Sequence, residues 1–202
     1  NLDERHPDDA NAARLERFLA DELPTVVYFG KLIPQKGVHL LLEALAGLEA
    51  RLVVVGFGPE RAALEAQASW LGVRTLFTGP LEHRHLRHLL AFADAAVVPS
   101  VFTEAFGMVA AEAASTGCPP LVARHSGLAE VAAGIEELYP ESLRGLASFT
   151  PGDAGDLRER LTTLLGLGPD ERAAVRAAAR EAVVARWSWA RVSERLLELA
   201  RP

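Results

Sequence analysis

Short apolar runs rich in β-branched residues alternate with amphipathic segments along most of this chain. The run TVVYFG at 25–30 ends in glycine, and Leu41, Leu45 and Leu48 then recur at helical spacing. Such runs predict buried strands, and apolar residues at a period of 3.6 predict helices. Further strands are predicted over 51–56, 73–79, 94–100, 120–124 and 145–150. Strands that alternate with helices through short connections are typical of a parallel sheet covered by helices on both faces.

The predicted fold class is therefore α/β: a doubly wound, Rossmann-like sheet of six parallel strands, with helices on both faces and a helical C-terminus. We expect one domain over residues 1–202, with a linker or helix at 1–24 and C-terminal helices over 151–202. In the doubly wound order 3-2-1-4-5-6, strands 1 and 4 are neighbours, and the loops at their carboxyl ends flank the ligand-binding crevice. Those loops are GKLIPQKG and SVFTEAFG.

Composition argues against several classes of protein. The 202 residues are 50% hydrophobic, and no apolar run reaches the roughly 18 residues of a transmembrane helix. The net charge of −6 argues against a nucleic-acid-binding surface, which would be basic. The charged N-terminus does not resemble a signal peptide, and the single cysteine, Cys118, forms no internal disulfide. We therefore expect a cytoplasmic protein without nucleic-acid partners.

The loop after the first predicted strand concentrates an unusual type of positive charge. The chain has 19 arginines but only two lysines, Lys31 and Lys36, and both lie in GKLIPQKG. Gly30 permits a sharp turn off the strand, and Gly37 permits close backbone approach at the start of the next helix. Fixed cations beside such a turn suit a phosphate or diphosphate. The alternative is an ordinary solvated loop.

The stretch EAFGMVAAE places Glu104 before a predicted helix and Glu112 within it. A helix that begins near Phe106 or Gly107 has unpaired backbone N–H groups, which can donate to sugar hydroxyls or to an oxyanion. Glu104 can accept from a hydroxyl, and Glu112, about one to two turns further along, can hold the vicinal hydroxyls of a ribose. Together with the lysines, these groups predict a nucleotide-sugar ligand. The alternative is a helix-dipole acid followed by an ordinary surface glutamate.

Five stretches, in order, resemble the C-terminal, donor-binding half of the retaining glycosyltransferases of family 4, which have the GT-B fold. They are GKLIPQKG, VVGFGPE, FTGPLEHRHLRHLLAFADAAVVPS, EAFGMVAAEAASTGCPPLVARHSGLAEV with its E-x7-E spacing, and WSWARVSERLLEL. The resemblance covers most of residues 25–199. It implies transfer of a sugar from a nucleoside-diphosphate sugar to an acceptor, with retention of the anomeric configuration.

The resemblance also implies roles for individual residues. Lys31 and Lys36 neutralise the diphosphate leaving group, Glu104 contacts the donor sugar, and Glu112 holds the ribose. Glu104, Lys36 and Lys31 are the implied catalytic residues. The implied binding residues are Gly30, Lys31, Lys36, Glu104, Ala105, Phe106, Gly107, Met108 and Glu112. Because fixed cations stabilise the leaving group, no cofactor or metal ion is expected, and neither glutamate needs to act as a nucleophile.

The sequence departs from the family pattern at three points. Lys31 replaces an arginine, which removes a bidentate phosphate contact, and HSG at 125–127 replaces a pair of glycines. A GT-B enzyme has two Rossmann-like domains with the active site between them. We therefore expect the acceptor-binding N-terminal domain to be absent from this chain, and the isolated chain to be inactive. The alternatives are a non-catalytic nucleotide-sugar-binding module and part of a sugar-nucleotide epimerase or phosphorylase with the same layout.

Histidines cluster in one predicted helix and recur near the predicted cleft. His83, His85 and His88 share that helix, but only Glu82 lies nearby to complete a ligand set, so an amphipathic helix is preferred to a metal site. His125 follows the fifth predicted strand, where a minor ligand contact is an alternative.

The remaining features have structural interpretations. Cys118 is expected to be a small buried apolar residue. The C-terminal segment is locally basic and carries Trp187 and Trp189. Peripheral membrane contact through this segment is an alternative, but packing of the tryptophans and the neighbouring leucines onto the domain is preferred.

Overall fold

The computed structural model describes residues 14–199, and a six-stranded sheet lies at its centre. The strands are β1 (Thr25–Phe29), β2 (Arg51–Val55), β3 (Arg74–Gly79), β4 (Ala95–Val98), β5 (Pro120–Ala123) and β6 (Ser148–Phe149). All neighbouring strands are parallel, and their order is β3-β2-β1-β4-β5-β6. This confirms the doubly wound order expected from the sequence.

Helices connect the strands and continue after the last one. They are α1 (Val38–Leu45), α2 (Arg61–Leu71), α3 (His83–Phe92), α4 (Met108–Ser115), α5 (Ser126–Glu136), α6 (Ala154–Leu165), α7 (Pro169–Trp187) and α8 (Trp189–Leu199). Short 3₁₀ helices span Pro34–Lys36 and Glu141–Leu143, and a helical segment at 14–18 precedes β1. The α/β class with a helical C-terminus is therefore confirmed.

Two predicted boundaries fall within turns of the structure. Proline suits the first turn of a helix, so Pro59 predicts a helix that begins there. In the structure α2 begins at Arg61, because Pro59 and Glu60 form a turn. The last strand is predicted over 145–150, but only Ser148–Phe149 pair with β5, since residues 144–147 form a turn after the 3₁₀ helix. Both differences reflect turns that the apolar pattern does not reveal.

The sheet separates two apolar clusters because successive side chains of a strand point to opposite faces. Val26 and Tyr28 of β1 belong to the larger cluster, with residues of α1, α5, α6 and α7. Val27 and Phe29 belong to the smaller cluster, with residues of α3. Helices therefore cover both faces, as expected for a parallel sheet. Cys118 is fully buried in the smaller cluster, and burial raises the pKa of its thiol to about 12, so it is the small apolar residue that was expected.

The C-terminal helices pack less completely than the sequence predicts. Trp187 is partly buried, with its ring centroid 5.8 Å from that of Phe106, in agreement with the expected packing. Leu196 and Leu197 of α8 are 62% and 66% exposed, so the expectation that these leucines pack onto the domain is wrong. The reason is a break at Ser188, whose ψ of 146° ends α7 and starts α8 in a new direction. The side chain of Trp189 lies outside the described part of the structure.

Backbone contacts hold the loops after β1 and β4 together. These two strands pair directly, and Val101 N–H then donates to Gln35 O at 2.9 Å. Gly37 has a φ of 64° and lies so close to Pro99 that a Cβ at Gly37 would be 2.0 Å from the Pro99 carbonyl oxygen. The predicted close backbone approach at Gly37 is therefore present, and its partner is the loop after β4.

Replacement of Gly37 by alanine is expected to destabilise the fold more than the same change at Gly72. The two glycines have similar left-handed φ angles, 64° and 67°, so either alanine costs about 1–2 kcal/mol in backbone strain. At Gly37 the new Cβ would also collide with a backbone oxygen, whereas no other heavy atom lies within 4 Å of one at Gly72. Urea unfolding of both variants measures the difference, and equal losses in the free energy of unfolding would contradict this packing.

Candidate functional site

The predicted site residues lie at the carboxyl edge of the sheet, where the loops after β1 and β4 meet. Lys36, in the 3₁₀ helix of the first loop, forms an ion pair with Glu104 of the second. Their side chains are 28% and 23% exposed, so the pair is largely shielded from solvent. Ser100 Oγ donates to the same carboxylate oxygen, Glu104 Oε1, at 2.8 Å. The sequence places the lysines and Glu104 at one cleft, and the structure joins Lys36 to Glu104 directly.

Glu104 stays ionised at neutral pH despite its partial burial. Burial opposes ionisation, but hydrogen bonds from Lys36 and Ser100, together with the charges of Lys36 and His125, outweigh it and hold the pKa of Glu104 below its ordinary value. Its second oxygen, Oε2, has no hydrogen-bond partner within residues 14–199. The carboxylate therefore has one oxygen available to accept from a ligand.

Lys31 is exposed, and its ammonium group has no ion pair or hydrogen bond in the described part of the chain. Its backbone is fixed, because Tyr28 Oη donates to Lys31 O at 2.7 Å and Gly30 N–H donates to Val55 O at 2.9 Å. Burial, with the nearby charge of Glu104, raises the pKa of Tyr28, so its hydroxyl remains a donor. The loop is thus held in place while the Lys31 cation stays available.

Four consecutive backbone N–H groups beside Glu104 lack acceptors. Those of Ala105, Phe106, Gly107 and Met108 donate to no group within residues 14–199. The cause is their position ahead of and at the first residue of α4, where no preceding turn supplies carbonyls. Free N–H groups at a helix N-terminus favour oxyanions and other acceptors.

Glu112 is the fifth residue of α4, about 6 Å along the helix from its first residue. Its Oε1 is buried without a hydrogen-bond partner among the described residues. His83 Nδ1 lies 3.0 Å from this oxygen, but the contact is an ion-pair contact that lacks hydrogen-bond geometry. Because a buried acceptor without a donor is costly, a hydroxyl that donates to Glu112 would stabilise it.

Ser126, which was not among the residues predicted from the sequence, also belongs to this site. Ser126 Oγ accepts from Glu104 N–H at 3.0 Å, and the neighbouring Gly127 N–H donates to Glu104 O at 3.0 Å. Ser126 has a φ of 46°, a left-handed conformation that glycine adopts without strain. The departure HSG at 125–127 marked this position in the sequence, but nothing in the sequence indicated its contact with Glu104.

His125 has partners for both ring nitrogens. Nε2 lies 2.7 Å from Ser100 O, and Nδ1 lies 3.0 Å from Ser126 Oγ. These nitrogens therefore make internal hydrogen bonds, where a minor ligand contact was the alternative suggested by the sequence. His125 contributes to the site by holding its neighbours.

Neither a metal-ligating cluster nor a membrane-spanning helix is present among residues 14–199. No group of three or more histidine, cysteine, aspartate or glutamate side chains is placed there to hold a metal ion. The histidine-rich helix α3 is amphipathic, as expected, and buries Leu86, Leu89 and Leu90. No helix in the same range is long and apolar enough to cross a membrane.

Known proteins share both the sequence pattern and the fold of this chain. A profile of the family described as "Glycosyl transferases group 1" matches residues 10–182. A GDP-mannose-dependent monoacylated alpha-(1-6)-phosphatidylinositol monomannoside mannosyltransferase from Corynebacterium glutamicum is 30% identical over 96% of this chain and 51% of its own length. D-inositol 3-phosphate glycosyltransferase from Mycobacterium bovis is 32% identical over 98% of this chain and 41% of its own. The chain spans about half the length of these curated relatives or less.

Solved structures show the same fold at lower sequence identity. The catalytic domain of cholesterol-alpha-glucosyltransferase from Helicobacter pylori matches with a TM-score of 0.69 and 20% identity, over 81% of this chain and 99% of that one. Anabaena Alr3699/HepE in complex with UDP-glucose matches with a TM-score of 0.74 and 24% identity, over 94% of this chain and 52% of that one.

Replacement of Lys36 by methionine is expected to raise the pKa of Glu104. Burial raises this pKa, and the substitution removes the hydrogen bond and charge of Lys36, which lower it. In the wild-type chain, the lowered pKa of Glu104 stabilises the fold at pH values above 4.5, the ordinary pKa of a glutamate. This stabilisation is lost as the pH falls through the pKa of Glu104 in the folded state. Carbon-13 NMR titration of the Glu104 carboxyl group measures the shift.

Lys31→Met is the matched control for this titration. It removes the other lysine of the loop, which has no contact with Glu104, so the pKa of Glu104 should remain at its wild-type value. A Glu104 pKa that is the same in Lys36→Met as in the wild type would contradict the assigned role of the ion pair.

Proposed function

This chain belongs to the group 1 glycosyl transferases, and from that premise we propose that it binds a nucleoside-diphosphate sugar at the carboxyl edge of its sheet. The observation that carries the proposal is the Lys36–Glu104 pair followed by four backbone N–H groups without acceptors. A sugar diphosphate needs cations, fixed N–H donors and a carboxylate acceptor, and two adjoining loops supply all three.

Each part of the donor has a proposed partner. Lys31 and Lys36 neutralise the diphosphate, and the N–H groups of 105–108 donate to sugar or phosphate oxygens. The free Oε2 of Glu104 accepts from a sugar hydroxyl. Glu112, whose buried Oε1 lacks a hydrogen-bond donor among the described residues, accepts from the ribose hydroxyls.

Glu104 is proposed to accept hydrogen bonds rather than to act as a general acid. Its pKa is lowered, so at neutral pH it has no proton to give to a leaving group. The lysines instead stabilise the negative charge that develops on the departing diphosphate. We therefore propose that the sugar is transferred with retention of its anomeric configuration. In this proposal neither glutamate acts as a nucleophile, and no cofactor or metal ion takes part.

The whole protein is proposed to be a glycosyltransferase of carbohydrate biosynthesis in the cytoplasm, with a second, N-terminal domain for the acceptor. The chain spans 51% of the length of the mannosyltransferase relative, which leaves room for such a domain there. Phe57, Phe102 and Met108 lie on loops at the carboxyl edge or at the start of α4, and they are 64%, 65% and 67% exposed. Exposed apolar side chains next to a ligand site suit a surface that another domain covers.

Calorimetric titration with UDP, GDP, ADP, UDP-glucose and GDP-mannose tests donor binding. Lys36→Ala and Glu112→Ala are expected to weaken binding of the preferred nucleotide about tenfold or more, because each removes a charged hydrogen-bonding group. Arg87→Ala and Glu130→Ala are the matched controls. They remove an exposed cation and an exposed carboxylate outside these loops, and binding should remain at the wild-type level.

Absence of saturable binding to all five nucleotides would contradict the proposal. Equal losses of affinity in the control variants would also contradict it, because the effect would then come from overall charge. For the full-length protein, product analysis with and without an acceptor separates sugar transfer from epimerisation and from binding without turnover.

A further inference from the structure

A closed ring of four hydrogen bonds begins and ends on Glu104. Glu104 N–H donates to Ser126 Oγ at 3.0 Å, and Ser126 Oγ lies 3.0 Å from His125 Nδ1. His125 Nε2 lies 2.7 Å from Ser100 O, and Ser100 Oγ donates to Glu104 Oε1 at 2.8 Å. The ring therefore holds Glu104 by its backbone at one end and by its carboxylate at the other.

The chemistry of the donors and acceptors sets the direction of each bond. Ser100 O is a backbone carbonyl and only accepts, so His125 Nε2 carries a proton. In the neutral imidazole Nδ1 is then an acceptor, and the Ser126 hydroxyl donates to it. The oxygen of Ser126 in turn accepts from Glu104 N–H. The opposite tautomer of His125 would place two acceptors, Nε2 and Ser100 O, against each other.

Ser126 adopts a strained backbone conformation while it makes this contact. Its φ of 46° is left-handed, and it is the only non-glycine residue with positive φ among residues 14–199. Such a conformation is strained for a residue with a Cβ, and strained residues cluster at functional sites. Gly127 allows the two loops to meet, since a Cβ there would lie 2.5 Å from Ala105 O.

We propose that Ser126 and His125 are positioning residues of the donor site, an inference that rests on the proposed function. Oε1 of Glu104 is occupied by Lys36 and Ser100, so the ring orients the remaining oxygen, Oε2, towards the donor sugar. A nucleoside diphosphate has its ribose but lacks the transferred sugar that would meet Glu104. Loss of the ring therefore weakens recognition of the sugar and leaves recognition of the nucleoside diphosphate intact.

Ser126→Gly removes the hydroxyl without straining the fold, because glycine adopts this φ freely. By calorimetry, this variant should bind UDP-glucose or GDP-mannose, whichever the wild type prefers, about tenfold more weakly. Its affinity for UDP or GDP should stay within about twofold of wild type, and its thermal unfolding midpoint should not fall. Thr163→Ala is the control, since it removes a hydroxyl that bonds within α6, and neither affinity should change.

The protonation state of the His125 imidazole can be measured separately. Nitrogen-15 NMR at pH 8 should show the Nε2–H tautomer in the wild type and a changed Nδ1 signal in Ser126→Gly. His125→Gln keeps an amide that can donate to Ser100 O, so it should retain more affinity for the sugar nucleotide than His125→Ala. A wild-type His125 imidazole protonated at Nδ1 alone would overturn the proposal. Equal losses of affinity for the sugar nucleotide in His125→Gln and His125→Ala would also overturn it.

Failure of the inference and failure of the proposed function give different results. If the wild type binds neither nucleoside diphosphates nor sugar nucleotides, the proposed function fails and the inference fails with it. If the wild type binds both and Ser126→Gly binds the sugar nucleotide equally well, the inference alone is overturned. Equal weakening of both ligands also overturns it, because the effect would then not arise at the sugar.

Discussion

β1 and β4 pair in parallel, and this pairing brings the loops at their carboxyl ends side by side. Because of it, a lysine 68 residues away in the sequence can reach Glu104. The ion pair then lowers the pKa of the carboxylate and occupies Oε1, while the following N–H groups remain free. The strand order is thus a precondition for the contacts that the side chains of the site make.

The sequence predicted this strand order and the two loops for a physical reason. Strands covered on both faces are apolar along most of their length, as in TVVYF and RLVVV, so they stand out from the amphipathic helices between them. The concentration of both lysines in one loop, and of the two glutamates around the start of α4, then located the candidate site. Strand ends were less accurate, as in β6, because turns depend on local backbone geometry.

Contacts between distant side chains were not predictable from the sequence. The contacts of Lys36 with Glu104, His83 with Glu112 and Ser126 with Glu104 all join different loops or helices, and none leaves a periodic pattern. The exposed leucines of α8 show the same limit. Their spacing predicts an apolar face, but it does not reveal that the break at Ser188 sends the helix in a new direction.

The close approach of Gly37 to Pro99 has a mechanical consequence. Together with the bond from Val101 to Gln35, it joins the two loops by backbone contacts, so neither loop can move away without breaking them. The loops that carry Lys36 and Glu104 are thus aligned by the fold itself. The entropy cost of aligning them is met during folding and not during ligand capture, which is the advantage of a preorganised site.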